Sequence, residues 1–205
     1  MEMGQGINTS LSQILADELD VPYESIKMVM ADTDLCPWDG GTNGSRTTRG
    51  FGPPFRAAAA EARALLLQMA SEQLDVPVSR LEINNGIISD KTNKAKNVGY
   101  GQLTKGKKIE QYLETKPVPK DYTQFKIIGK PYMKQDAILK VTGKAQYSGD
   151  FQFPGMLHAS ILRPPSHGAK LVSADTSEAD KIKGLQVVME DNIIAFLHED
   201  PDFAD

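Results

Sequence analysis

Cysteine is all but absent from this 205-residue chain, and the lone Cys36 has no partner. That excludes an internal disulfide, a four-cysteine zinc site, and any iron–sulfur cluster held by this chain alone. Histidine is scarce too, and His158, His167 and His198 stand at no spacing that puts two metal ligands on one face. No apolar run approaches the roughly 18 residues of a membrane-spanning helix. Neither charge sign dominates, with 23 basic and 27 acidic side chains, which argues against a nucleic-acid-binding surface covering the molecule. The glycine-lysine-serine ending of a Walker loop is missing, and Ser45 lacks the GxSxG context of a hydrolase. What remains is ordinary globular material: 40% hydrophobic residues and enough length to remove roughly two-thirds of the unfolded surface from water.

The composition divides the chain into residues 1–104, 105–134 and 135–205. In the first part Leu11, Ile14, Leu15 and Leu19 repeat at helical spacing, with Asn8, Thr9 and Ser10 as capping oxygens before them and Pro22 as the stop. Ser25–Ala31 reads as a strand. Glycines at 40, 41, 44, 50 and 52, with Pro37, Pro53 and Pro54, make the next stretch a loop that runs into a helix, the two prolines sitting in its first turn. In that helix Ala58, Ala59, Ala62, Leu65, Leu66 and Met69 repeat at three and four, which predicts deep packing. Short strands follow.

Residues 105–134 carry eight lysines against Glu110, Glu114 and Asp121, a formal charge of +5 inside a negative chain. They read as a solvated linker running across an acidic surface, with an anion or partner site as the other reading. From residue 135 the pattern is strand-like over Ala137–Tyr147. It turns at Phe153-Pro154-Gly155, is strand-like again over Met156–Leu162, and passes a short helix over Ser177–Ile182 to strands at Leu185–Met189 and Ile193–Leu197. The expected fold class is α+β. Both termini read as cut, so the chain is expected to be a piece of a longer polypeptide.

Two loops are candidates for chemistry. Met3-Gly4-Gln5-Gly6 stands immediately before a helix, where glycines let a ligand approach the backbone and the helix start favours an anion. A plain tight turn explains the same glycines. Gly40 to Thr48 concentrates hydroxyls, mobile backbone and arginines at 46 and 49, suited to a polyanionic ligand; a surface Ω-loop is the plainer account. Asp32, Asp34 and Asp39 read as turn caps or as a cluster near the loop. Cys36, beside Pro37 and Trp38, reads as a half-buried structural thiol rather than a nucleophile.

Together these stretches carry a resemblance. Met3-Gly4-Gln5-Gly6-Ile7-Asn8-Thr9, Gln13 to Leu19, Asp32-Thr33-Asp34 and Gly41 to Thr48 resemble the pterin-binding part of the large subunit in the xanthine dehydrogenase and aldehyde oxidase family of molybdenum hydroxylases. Lys140-Val141-Thr142-Gly143-Lys144-Ala145, Asp150, Pro154 to Ala159 and Arg163-Pro164-Pro165 resemble the a/b hammerhead domain of the same subunits. The glycine block precedes the hammerhead here, with Phe125 to Pro131 between them. That order resembles the large (beta) subunit of isoquinoline 1-oxidoreductase and related membrane or periplasmic aldehyde dehydrogenases.

The resemblance implies a partial molybdopterin-binding domain over 1–104, a basic linker over 105–134, and a truncated hammerhead-like domain over 135–205. It implies that Met3, Gly4, Gln5 and Gly6 contact the molybdenum cofactor, the Gln5 amide donating toward a ligand of the metal while backbone N–H groups face the pterin. It places Thr42, Asn43, Gly44, Ser45, Arg46 and Thr47 around the pterin phosphate, Arg46 meeting the second phosphate of a cytosine dinucleotide form. Further implications are iron–sulfur clusters on a small partner subunit and a hydroxylation, with water-derived oxygen, of an N-heterocycle or aldehyde. The catalytic glutamate of the family lies on a late glycine-rich motif with no counterpart here, so the isolated chain is expected to be inert and Glu2 is assigned only to its turn. The periplasm is favoured over the cytoplasm. Two further readings stand beside this one: a phosphate- or nucleotide-binding module without redox chemistry, and a docking module for neighbouring domains.

Overall fold

Helix α1, Ile7–Leu19, forms where isoleucine and leucine recur every three or four residues, so that Ile7, Leu11 and Ile14 share one buried face. In the computed structural model, which describes residues 2–110 and 113–205, that face packs against Met28, Met30, Phe55 and Ile128. The predicted cap is corrected. The helix starts at Gly6 in a left-handed conformation with no side-chain cap from that residue, and the Glu2 carboxylate accepts from the N–H groups of Gly4, Gly6 and Asn8 at 2.8–3.0 Å. Thr9 is buried instead, its hydroxyl accepting from Gln135 N–H at 3.1 Å.

The strand predicted over Ser25–Ala31 is also absent. Tyr23–Ser25 forms a single 3-10 turn, and the residues after it are extended and pair with no strand among the described residues. Ile26, Met28 and Met30 do alternate inward while Lys27 and Val29 face out. The period of two is real, but it lays the chain on a helix rather than in a sheet.

Helix α2, Gly52–Leu74, begins after a π turn at Thr47–Phe51 and carries prolines in its first turn. Ala59, Ala60, Leu65, Leu66 and Ala70 are buried, whereas Ala57, Ala58 and Ala62 face solvent, so only one side has the predicted deep packing. At Gly52 an added Cβ would stand 3.3 Å from Ile14, which lets α2 approach α1. Strands β1 (Leu81–Asn84), β2 (Ile87–Asp90) and β3 (Asn97–Gly99) form an antiparallel meander. Asn85 and Gly86, both with positive φ, close the first hairpin with the two-residue chemistry such turns require. Helix α3, Tyr100–Thr104, completes a core of Leu66, Ala70, Val76, Leu81, Ile88, Val98 and Leu103.

The basic stretch, of which residues 111 and 112 lie outside the described residues, is a strap stitched to α1. Asp17, 2% exposed, accepts from the successive N–H groups of Lys126, Ile127 and Ile128 at 2.8–3.1 Å. Glu18, 1% exposed, accepts from Lys120 N–H at 3.2 Å and pairs with Arg63 at 3.0 Å and Arg56 at 3.5 Å. In the same seam Gln13 of α1 donates to the carbonyls of Ile127 and Lys130 at 3.0 Å. The acidic surface that the lysines were expected to cross is there, but main-chain amides rather than lysine heads make most of the contact.

The first compact unit runs from Met1 to Lys144 and the second from Ala145 to Asp205. The first extends past the boundary expected at residue 134 because Gln135 bonds to α1. Its last element is α4, Ala137–Val141, where the sequence predicts strand. An ion pair from Lys140 to Asp136 at 2.5 Å and the Thr142 hydroxyl on the Ile138 carbonyl at 2.6 Å favour the helical turn, and no sheet edge receives the segment.

In the second unit β4 (His158–Ile161), β5 (Gln186–Glu190) and β6 (Ile193–His198) form an antiparallel sheet in the order β4-β6-β5. The turn at Phe153 to Met156 closes as predicted, with Met156 N–H on the Phe153 carbonyl at 3.0 Å. The helix predicted over Ser177–Ile182 shrinks to a 3-10 turn, Ala179–Lys181. A short α5, Pro201–Ala204, is capped by the Asp200 side chain. Mixed helix and sheet is thus the architecture, and among the described residues no helix is long and apolar enough to cross a membrane.

Candidate functional site

Two stretches far apart in sequence face one cleft of about 400 Å³ in the first unit. Of the ten candidate residues, Met3, Gln5, Thr42, Asn43, Gly44, Ser45 and Thr47 line it, and Gly4, Gly6 and Arg46 do not. Thr48, the last residue of the candidate loop, lines it as well, and so do Ile7 and Ser10, which went unpredicted. A signal for Ser10 was present, since it follows Ile7 by three residues and so shares its side of the first turn of α1.

Each wall is built differently. The Met3–Gly6 turn is held by Glu2 as described, and Met3 N–H donates to Gln5 Oε1 at 2.6 Å. Burial pushes the Glu2 carboxyl up, but the N–H groups of Asn8, Gly6 and Gly4 outweigh it and hold the group below the usual carboxylate range. From the strap side the Lys134 ammonium donates to the Gly4 carbonyl at 2.6 Å.

The opposite wall is held by short-range bonds. Asp32 accepts from Asp34 and Leu35 N–H at 2.9 and 3.0 Å, and Asp39 accepts from Gly41 N–H at 2.5 Å. These are the turn-capping roles that the sequence allows for aspartates. The Thr42 and Thr47 hydroxyls meet at 2.9 Å. Gly44 and Ser45 both adopt positive φ, 55° and 54°, the second being a conformation that serine rarely takes. The Ser10 and Thr48 hydroxyls, 3.4 Å apart, join the walls. Arg46 and Arg49 are exposed. Cys36 is half-buried with its thiol 3.5 Å from the Val29 carbonyl.

The lining fits a phosphate-bearing ligand. Among the described residues it offers hydroxyls, an asparagine and a glutamine and no carboxylate. The turn before α1 differs from what the sequence resemblance implies, which is backbone N–H groups facing the pterin. The Gly4 and Gly6 N–H groups are taken by Glu2.

Known proteins share the region around this cleft. The family described as molybdopterin cofactor-binding domain matches residues 1–145. The chain is similar to a subunit of the nicotinate dehydrogenase of Pseudomonas putida, 32% identical over 197 residues that cover 92% of this chain and 16% of that protein. It is also similar to the beta subunit of isoquinoline 1-oxidoreductase of Brevundimonas diminuta, 26% identical over 228 residues, covering 92% of this chain and 29% of that protein. A solved CO dehydrogenase from Oligotropha carboxidovorans is 31% identical with a TM-score of 0.45, covering 51% of this chain and 13% of that one. The chain therefore spans less than a third of the length of the curated relatives it matches. With the matched region taking in both walls of the cleft, the chain belongs to the molybdopterin cofactor-binding domain family, among the molybdopterin-binding subunits of the xanthine dehydrogenase family.

Proposed function

We propose that this chain supplies one side of the molybdenum-cofactor site in a hydroxylating oxidoreductase. The observation that carries the reading is the single cleft lined by Met3 and Gln5 from one stretch and by Thr42, Asn43, Gly44, Ser45 and Thr47 from another, inside the region matched by the molybdopterin family. When bound, the cofactor supplies the two-electron oxidation that places a water-derived oxygen on an electron-poor carbon. The residues of this chain bind and orient it. Gln5 donates its amide toward the metal end, and the hydroxyls and backbone of the 42–47 loop hold the phosphate. Arg46, exposed beside that loop, is proposed to meet the second phosphate of a cytosine dinucleotide form.

The substrate class is an N-heterocycle or an aldehyde. The names of two relatives, which refer to nicotinate and isoquinoline, favour the heterocycle. Electrons leave through iron–sulfur clusters on a small partner subunit, since one cysteine cannot hold a cluster. The 145–205 unit is proposed to be hammerhead-like and to pack within the rest of the large subunit. Because the resemblance puts the catalytic glutamate on a motif this sequence does not contain, the 205-residue chain alone is proposed to turn over no substrate.

The test is elemental mass spectrometry of the full-length parent protein purified from its native host with its partner subunits. About one molybdenum per large subunit is expected. A well-folded preparation without molybdenum overturns the reading.

A further inference from the structure

We infer that Lys134 is a positioning residue for the cofactor-facing turn Met3–Gly6, an assignment that rests on the function proposed above and adds to it a residue from outside the cleft. The turn needs external bracing. Gly4 and Gly6 have φ of 99° and 84°, and glycines at positive φ rotate freely unless something holds them. Two groups hold these from opposite ends of the sequence. Glu2 accepts from the N–H groups of Gly4 and Gly6, and Lys134 donates to the Gly4 carbonyl at 2.6 Å. With both the N–H and the carbonyl of Gly4 engaged, its backbone is fixed on each side of the α-carbon. The peptide to Gln5 is trans, so fixing the Gly4 carbonyl on Lys134 turns the Gln5 N–H away from the strap.

The lysine itself is set on a rigid base. Its neighbour Gln135 is pinned to α1 by two bonds at 3.1 Å, N–H to the Thr9 hydroxyl and side-chain amide to the Ser12 hydroxyl. The Lys134 carbonyl accepts from Ala137 N–H at 3.0 Å as α4 begins. The stem lies so close to the turn that a Cβ at Gly6 would stand 2.9 Å from Lys134 Cε and displace the end of the lysine. A second ammonium, Lys140, lies 4.0 Å from the Cβ position of Gly4 while paired to Asp136. The Lys134 ammonium and the Lys140–Asp136 pair thus stand beside a turn that carries the Glu2 carboxylate.

The experiment uses the full-length parent with its partner subunits, as wild type, Lys134→Met and Lys134→Arg. Methionine keeps most of the stem and removes the ammonium. Two quantities are read: molybdenum and pterin retained per protein after gel filtration, and hydrogen–deuterium exchange of the peptide spanning Met3 to Asn8 in cofactor-free protein. Loss of one charge-assisted bond predicts about tenfold faster exchange there and several-fold lower cofactor retention in Lys134→Met, an unchanged thermal midpoint, and recovery of both readouts in Lys134→Arg. Wild-type exchange in Lys134→Met overturns the brace. Faster exchange with full retention of molybdenum overturns its role toward the cofactor. Absence of molybdenum from the wild type itself defeats the proposed function, and with it the cofactor part of this inference, while the exchange data still decide the brace.

Discussion

The two walls of the cleft solve the same problem in opposite ways. The Met3–Gly6 turn is held by a carboxylate next to it and by an ammonium from the strap, so its shape depends on chain that folds back from far along the sequence. In the 39–48 loop the bonds among the described residues are mostly local: Asp39 to Gly41, Arg46 N–H to the Asn43 carbonyl at 3.2 Å, and Thr42 to Thr47. Among the described residues the Ser10 and Thr48 hydroxyls meet across the cleft. A turn braced by tertiary structure is preorganised before any ligand arrives, whereas a loop closed on itself keeps the freedom to adjust around one. The division of labour matches the proposed roles, with the rigid wall at the metal end and the adaptable wall at the phosphate.

The largest expected effect comes from breaking the strap. Asp17→Ala leaves the N–H groups of Lys126, Ile127 and Ile128 without their buried acceptor and is expected to destabilise the first unit by about 3 kcal/mol in urea unfolding. Hydrogen exchange should then rise in the Met3–Gly6 turn and stay unchanged in the 39–48 loop; equal loosening of both would erase the contrast.

Asp90 provides a reference remote from either wall. The Thr92 N–H, together with the Arg80 guanidinium and against the burial that raises it, holds its carboxyl at about 2 instead of the ordinary 3.8. A carboxylate depressed in the folded state contributes stability that is fully present above its unfolded pKa and lost as pH falls through the folded one. The contribution should disappear between about pH 4 and pH 2, and Asp90→Asn should flatten acid unfolding in that window without changing exchange in either wall.

Glu2→Gln is expected to cost about 1 kcal/mol, the usual worth of a helix N-cap, and to remove the part of the stability that fades as pH drops below the ordinary 4.5 of this carboxyl. Exchange at Gly4 and Gly6 reports it. The smallest change in stability is predicted for Thr47→Val, which deletes the Thr42 contact for about 0.5–1 kcal/mol. In the full-length parent this variant should still lower cofactor retention, because a loop that adapts to its ligand contributes through the bound state rather than the empty one.

Periodicity made much of this fold legible. The three-and-four spacing from Leu11 to Leu19 and from Ala58 to Met69 marked α1 and α2, and the prolines at 53 and 54 marked where the second begins. In the strands near residues 81–99, 158–161 and 186–198, short apolar runs sat between turn residues. The same rule misled where its partner was missing. Ile26, Met28 and Met30 alternate as a strand would, yet Met28 and Met30 lie on a helix, and Ala137–Val141 coils because Asp136 and Lys140 pair one turn apart. At the site, the order of residues was enough to say which of them have the chemistry for a phosphate-bearing ligand, since hydroxyl, amide and glycine are properties of single residues. Folding in three dimensions was needed to bring Met3 and Gln5 into one cleft with Thr42–Ser45, to put Glu2 rather than Asn8 to Ser10 at the start of α1, and to close Lys134 on Gly4. Those are contacts between residues distant along the chain or dependent on its exact turn, and a repeating pattern records how much of a residue is covered but not by what.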